Sequence, residues 1–216
     1  MINIKNMNIQ KDEIYSLIKK NLFECQDKIV KLEDAKYHHN IAYEDTISAL
    51  KHGILSLEEL YKIQGKILSY EDRIKYSREG GHINGVDEIS LSSMDIDFDR
   101  LYDDERIYDP YSDYKVDILI SNNIKAYRIT EHYANEFLTE NKIVPENFKA
   151  IDIRLLNYLN NNCDDIIEGV KYCNYLIDIA NAMKKYSLDI PLREMSNKEI
   201  HLDKEKVLQL TKIIIK

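Results

Sequence analysis

The stretch 134–153 constrains the fold most, because it reads as two short strands joined by a rigid link. The apolar pair Phe137-Leu138 indicates the first strand, and the run 148–153 is typical of a half-buried second strand. Pro145 stiffens the polar link, since its ring fixes one backbone angle. Glu136 stands where the first strand begins, so its carboxylate is either a charge at the rim of a sheet or part of a functional site.

Composition is that of a soluble globular protein. The chain has 216 residues, 44% hydrophobic and 31% charged, which suffices for one large domain or a domain with a small helical appendage. Its formal net charge of -8 argues against broad electrostatic binding to nucleic acid or to an anionic membrane. We expect a cytoplasmic protein without a membrane span, because no apolar run approaches roughly 20 residues and positions 1–11 lack a signal-peptide core.

Cysteine and glycine usage argues against several kinds of site. The three cysteines (Cys25, Cys163 and Cys173) show no paired spacing, which favours reduced thiols over a structural zinc site. The six glycines form neither a dinucleotide-binding fingerprint nor a P-loop. A G-x-S-x-G motif is also absent, so the sequence gives no support for an α/β-hydrolase.

Apolar residues at helical spacing alternate along the chain with strand-like runs. Ser56 begins a capping box, and Gly53 and Gly65 are predicted helix stops. Helices are predicted at 10–31, before Gly53, at 57–64, from Ser69 to about Gly80, at 164–186 and at 203–215. Strands are predicted at 35–41, 87–92, 116–121 and 124–128, the last two as a hairpin, whereas 192–200 is predicted to be a loop and 212–215 could also be a terminal strand.

Two of these strands carry polar side chains suited to a cleft. His38 and His39 are adjacent in the first strand, so they are expected on opposite faces, one facing a cleft while the other packs or meets solvent. Ser90 and Ser92 alternate with apolar residues, which gives that strand one hydroxyl-bearing face. Each feature also fits a plain structural role, and a strand histidine more often has one.

The acidic segment 94–113 is predicted to be a lid or a partner-binding loop. Its opening Asp95-x-Asp97-x-Asp99 suggests calcium, but Arg100 replaces the turn glycine of an EF-hand loop and Arg106 stands where the bidentate Glu belongs. We therefore predict no metal site there.

Three motifs, in order, resemble the ADP-ribosyltransferase family, most closely its DNA-targeting toxin type. The first is Tyr37-His38-His39-Asn40 followed by Ile-Ser-Ala-Leu-Lys-His-Gly-Ile-Leu-Ser at 47–56, the second is Ile89-Ser90-Leu91-Ser92, and the third is Asn135-Glu136-Phe137-Leu138-Thr139 followed by Ile143-Val144-Pro145 and Ile151. The resemblance covers about 35–154. The chain departs from the family in its acidic segment 94–113, which occupies the place of the substrate loop and would repel a DNA backbone.

The resemblance implies an α+β fold with an ADP-ribosyltransferase-like split two-sheet core at 1–154, including the N-terminal helix, and a C-terminal helical extension at 155–216 packed on that core. It implies NAD as substrate, Glu136 as the catalytic residue, and His38, Asn40, Ser90 and Ser92 as NAD-binding residues. The acceptor would be an unknown protein or nucleic acid, and the biological role that of a toxin or phage-defence component. The C-terminal helices could also form a homodimer.

Two other functions remain open at this point. A non-enzymatic binding protein could keep the same core and use the acidic segment and the C-terminal helices to hold a partner. An RNA 2′-phosphotransferase on a related fold would need several cationic side chains in the cleft, for which Arg73, Arg78 and Arg128 are available. Convergence of His38, Ser90 and Glu136 within about 10 Å would favour an enzyme or nucleotide-binding protein, since a single ligand must reach all three.

Overall fold

The computed structural model describes residues 2–3, 11–27, 32, 34–79, 88–93, 116–128, 136–155, 166–195, 200–210 and 213–214. The helices within these residues are α1 (Lys11–Glu24), α2 (Tyr43–His52), α3 (Leu57–Ile63), α4 (Tyr70–Glu79), α5 (Ile166–Lys185) and α6 (Lys204–Gln209), with a short 3-10 helix at Pro145–Asn147. Among these described helices, none combines the length and the hydropathy that crossing a membrane requires.

The strands are short, as in most α+β proteins. They are β1 (Ile2–Asn3), β2 (Ala35–Ile41), β3 (Ile54–Leu55), β4 (Ile89–Ser93), β5 (Val116–Ser121), β6 (Ala126–Arg128), β7 (Glu136–Thr139), β8 (Lys142–Ile143), β9 (Phe148–Ile153), β10 (Leu192–Glu194), β11 (Ile200–Leu202) and β12 (Ile213–Ile214). The mixed composition confirms the predicted α+β class at this coarse level.

Eight strands form one sheet in the order β11-β10-β9-β5-β2-β4-β7-β6. The neighbours are antiparallel except for β9 and β10, which are parallel. The pairs β1-β12 and β3-β8 form two further small sheets. Because β2 lies between β5 and β4, the strand that carries the two histidines is near the middle of the large sheet.

The main hydrophobic core lies between the large sheet and α1, α2 and α5. Alternate positions of β5 and β9, such as Ile118 and Ile151, are fully buried in it beside Leu50 and Ile179 of the helices. Leu119 is also buried, yet it lies outside that cluster because adjacent strand residues project to opposite faces. The second face of the sheet is therefore partly covered as well.

The predicted separation into two sheets differs from the described structure, in which one sheet is continuous. Strand β2 pairs with β5 along its whole length, but with β4 only at Tyr37 and His38. Beyond His38 the backbone pairing between β2 and β4 ends, although β2 continues to pair with β5 and the sheet does not divide.

The region after residue 154 is not purely helical, contrary to prediction. Strand β10 lies at the start of the predicted loop 192–200, and β11 begins at the predicted end of that loop. Both strands extend the large sheet beyond β9. The helical spacing at 164–186 did predict α5. Three-residue strands are too short for a period-two pattern to identify, and the Arg193 side chain resembles a surface residue in sequence although it is buried.

The predicted hairpin between β5 and β6 is wrong. Both edges of β5 are occupied, by β2 on one side and by β9 on the other, so β6 pairs instead with β7 at the far edge of the sheet. The turn after β5 is closed locally, where Asn123 N donates to Ser121 Oγ. A turn signal in sequence identifies a change of direction but not the strand that the chain then joins.

Candidate functional site

A row of three positions crosses three adjacent strands at the place where the pairing between β2 and β4 ends. His38 of β2 is the register partner of Ser92 of β4, and Ser92 is the register partner of Glu136 of β7. Direct partners in antiparallel strands have Cα atoms about 5 Å apart, so the row spans about 10 Å from end to end. The structure thus brings together three residues separated by about a hundred positions in sequence.

The two predicted serines occupy different positions relative to this row. Ser90 shares the alternation of Ser92 along β4, but its register partner on β7 is Leu138. Ser92 is therefore the hydroxyl residue in line with His38 and Glu136, and Ser90 lies one step aside. The sequence could not choose between them, because the choice depends on the register between strands.

The adjacent histidines lie in different surroundings, as the alternation predicts. His39 Nδ1 donates to the Ser90 backbone oxygen at 2.9 Å, bridging β2 and β4 beyond the end of their backbone pairing. Burial lowers the pKa of His39 below its ordinary value, because the imidazolium form would lose its hydration. His38 lies beside Asp117 instead, with His38 Nδ1 and Asp117 Oδ1 3.4 Å apart.

Asp117 is the centre of a polar cluster that sequence reasoning missed. Besides approaching His38, its buried carboxylate accepts a hydrogen bond from Asn40 Nδ2 and forms an ion pair with Arg154 Nη2 at 2.5 Å. Asn40, predicted to bind NAD, is thus the register partner of Asp117 and donates to it. The one available signal is an aspartate inside an apolar strand, Val116-Asp117-Ile118, where a charge requires partners.

The polar positions continue across the sheet beyond Asp117. Asp152 of β9 is the register partner of Asp117, and Arg193 of β10 is the register partner of Asp152. The Arg193 guanidinium donates to both oxygens of Asp152 at 2.6 Å, and both side chains are buried. Burial raises the pKa of Asp152 above its ordinary value, although Arg193 opposes that change. This pair supports β9 and β10 rather than the row itself.

Other predicted elements contribute less to the site. The acidic segment 94–113 lies outside the described residues, as do Arg100, Arg106 and His82. In the described part of the chain, no group of three or more His, Cys, Asp and Glu residues could hold a metal ion. Arg73, one of the cations considered for phosphate binding, forms an ion pair with Glu58 at 2.9 Å between α4 and α3.

Comparison with known proteins found no relative of this chain. No protein-family model, no curated protein and no solved structure matches this chain.

Proposed function

We propose that the chain is an NAD-dependent ADP-ribosyltransferase or NAD hydrolase that uses the row His38, Ser92 and Glu136. The observation that carries the proposal is the register, which aligns these three residues across β2, β4 and β7. The resemblance in sequence assigns a histidine, a hydroxyl residue and a glutamate to the same three strands in the same order. The cleft of an ADP-ribosyltransferase-like core would then lie where β2 and β4 stop pairing, beyond His38.

The proposed chemistry divides between the three residues. In the reaction, the bond between nicotinamide and ribose breaks, nicotinamide leaves with the bonding electrons, and positive charge develops on the ribose carbon. Glu136 would accept a hydrogen bond from the ribose 2′-hydroxyl and stabilise that charge. Ser92 would hold the same ribose, and His38 would bind the adenosine side of NAD.

An acceptor completes the reaction. A nucleophilic group of a protein or nucleic acid, or water in the hydrolase case, forms the new bond to the ribose carbon and loses its proton. Glu136 is the residue we assign to receive that proton, because a carboxylate can act as a general base when the proton is within its hydrogen-bonding reach. The acceptor itself is left open by the proposal.

Nicotinamide release from NAD tests the proposal. We expect wild-type protein to release nicotinamide and Glu136→Gln to be slower by about a hundredfold or more, as for loss of a general base. Glu140→Gln is the matched control, since Glu140 is an exposed carboxylate just after β7 and should retain wild-type activity. Equal rates for wild type and Glu136→Gln would contradict the assignment. Saturable NAD binding without release would favour the non-enzymatic nucleotide-binding alternative.

A further inference from the structure

We propose that Asp117 is a positioning residue that fixes the ring orientation and tautomer of His38. The effect on NAD binding rests on the proposed function, because His38 is a ligand-binding residue only if the row binds NAD. The contact between Asp117 and His38 is present in the free protein. Asp117 lies on β5, the neighbour of β2 on the side away from Ser92 and Glu136, so it acts through His38 and not on the ligand.

Asp117 is held in place more firmly than His38. Its side chain is 4% exposed, whereas that of His38 is 19% exposed. Arg154 engages Oδ2, and Asn40 donates to Oδ1, so each carboxylate oxygen has a partner from another residue. A guanidinium remains protonated in proteins, and its pairing with a carboxylate is charge-assisted. A fixed acceptor therefore lies beside the His38 ring.

This acceptor determines which nitrogen of His38 carries the proton. A carboxylate oxygen only accepts, so the favourable neutral form of His38 has its proton on Nδ1, the atom 3.4 Å from Asp117 Oδ1. The other ring nitrogen, Nε2, then has a free lone pair. The ligand group that meets His38 must in that case be a donor, such as a sugar hydroxyl, and not a phosphate oxygen.

A buried pair on the next strands provides a matched control. Asp152 is also a buried carboxylate paired with an arginine, and it is the register partner of Asp117, but the Arg193 guanidinium donates to both of its oxygens. Asp152→Asn should therefore disturb the sheet to a degree comparable with Asp117→Asn while leaving His38 in contact with Asp117. A purely structural role for Asp117 would make the two variants behave alike.

Nitrogen NMR of the imidazole rings in the free full-length protein tests the inference, with His38 assigned by the signal lost in His38→Gln. We expect the proton on Nδ1 of His38 in wild type and in Asp152→Asn, and a change toward the Nε2-protonated form in Asp117→Asn. A wild-type His38 protonated on Nε2 would overturn the inference, and so would an equal change in both variants. If Asp117→Asn does not fold, the wild-type spectrum still decides.

NAD titration then separates this inference from the proposed function. We expect Asp117→Asn to bind NAD roughly tenfold more weakly than Asp152→Asn, by analogy with the loss seen when a residue that orients a metal-binding histidine is replaced. Equal NAD affinity of the two variants would overturn the positioning role. If wild type does not bind NAD at all, the proposed function fails, while the tautomer measurement independently supports or overturns the contact between Asp117 and His38.

Discussion

Two adjacent histidines illustrate how much a single position in a strand determines. His38 and His39 have the same side chain, but His38 approaches a buried carboxylate and His39 donates to a backbone oxygen. Sequence alternation predicts that the two rings lie on opposite faces. It does not predict their partners, because Asp117 and Ser90 come from strands that are 79 and 51 positions away from His38 and His39 respectively.

His39 should make the stability of the protein depend on pH. The pKa of His39 is lowered in the folded state. When the pH falls below the ordinary value of 6.5, the unfolded chain therefore binds a proton at this histidine at a higher pH than the folded protein does. This contribution to stability is fully present above that value and is lost as the pH falls below it, by about 1.4 kcal/mol for each unit of pKa difference. Urea unfolding at about pH 5 and pH 7.5 would measure the loss. His39→Gln, which keeps a neutral donor, should lose less stability over the same range; an unchanged loss would contradict this.

Two glycines with positive φ angles should respond differently to alanine. At Gly53, the residue that ends α2, φ is 89° and an added Cβ would lie 2.3 Å from the backbone oxygen of Ile143. At Gly65, φ is 68° and, apart from its chain neighbours, no atom of the described residues lies within 4 Å of an added Cβ. We expect Gly65→Ala to cost about 1 kcal/mol of unfolding free energy, from the backbone conformation alone.

Gly53→Ala should cost more than Gly65→Ala, by about 1 to 3 kcal/mol, because α2 or β8 must also move. Thermal unfolding of the two variants beside wild type would show the difference as a lower midpoint for Gly53→Ala. Equal midpoints would mean that the close approach between Gly53 and β8 has little energetic weight.

At the scale of elements, local signals identify helix starts better than helix ends. Ser56 caps α3 as predicted, by accepting from Glu59 N, and Asp203 caps α6 at the start of the predicted helix 203–215 by accepting from Glu205 N and Lys206 N. The helix predicted at 10–31 instead ends at Glu24. The last segment satisfies both predicted alternatives in turn, since α6 ends at Gln209 and Ile213–Ile214 then pairs with β1. Such signals suffice because every atom of a cap lies within a few residues of it.

Strand partners cannot be read from sequence in the same way. The stretch 134–153 contains the two predicted strands, β7 and β9, and also the short strand β8 in the predicted link between them. Strand β7 pairs with β4 and β6, whereas β9 pairs with β5 and β10. The apolar pattern of a strand reports its buried face and gives little information about its neighbours. For this reason the hairpin at 116–128 and the loop at 192–200 are the elements that the structure corrects.

The ion pair between Asp152 and Arg193 should be important for holding β10 against β9. Removing one partner leaves a buried charge unpaired, so Arg193→Met should lower the unfolding free energy by about 3 to 5 kcal/mol. The double variant Asp152→Val with Arg193→Met removes both charges and should recover much of that loss. Chemical unfolding of wild type, the single and the double variant would measure the coupling. A double variant less stable than the single one would contradict this account.

At the scale of the whole molecule, the chain after residue 154 completes the fold. Its helix α5 contributes Ile179 and Met183 to the main core, and β10 lies beside β9 in the large sheet. The predicted boundary at 154 follows the end of the resemblance, which covers only part of the sheet. Composition and helical periodicity therefore predict the fold class, while the extent of the sheet depends on pairings between distant segments.

The candidate site shows the same limit. Sequence motifs selected His38, Asn40, Ser90, Ser92 and Glu136, and the register aligns three of these five. Asp117 and Arg154 could not be found in that way, because their importance lies in contacts across the sheet and not in a local motif. The residues at the row can be proposed from sequence, whereas those that orient them require the structure.

The central claim is that NAD binds along the row of His38, Ser92 and Glu136, and calorimetric titration of NAD tests it most directly. We expect saturable binding to wild type, an affinity lower by about threefold to tenfold in Ser92→Ala from the lost hydrogen bond, and near wild-type affinity in Ser90→Ala. Both variants remove one hydroxyl from a half-buried position of the same strand, and they differ in their alignment with the row. No binding by wild type, or a greater loss in Ser90→Ala than in Ser92→Ala, would contradict the account.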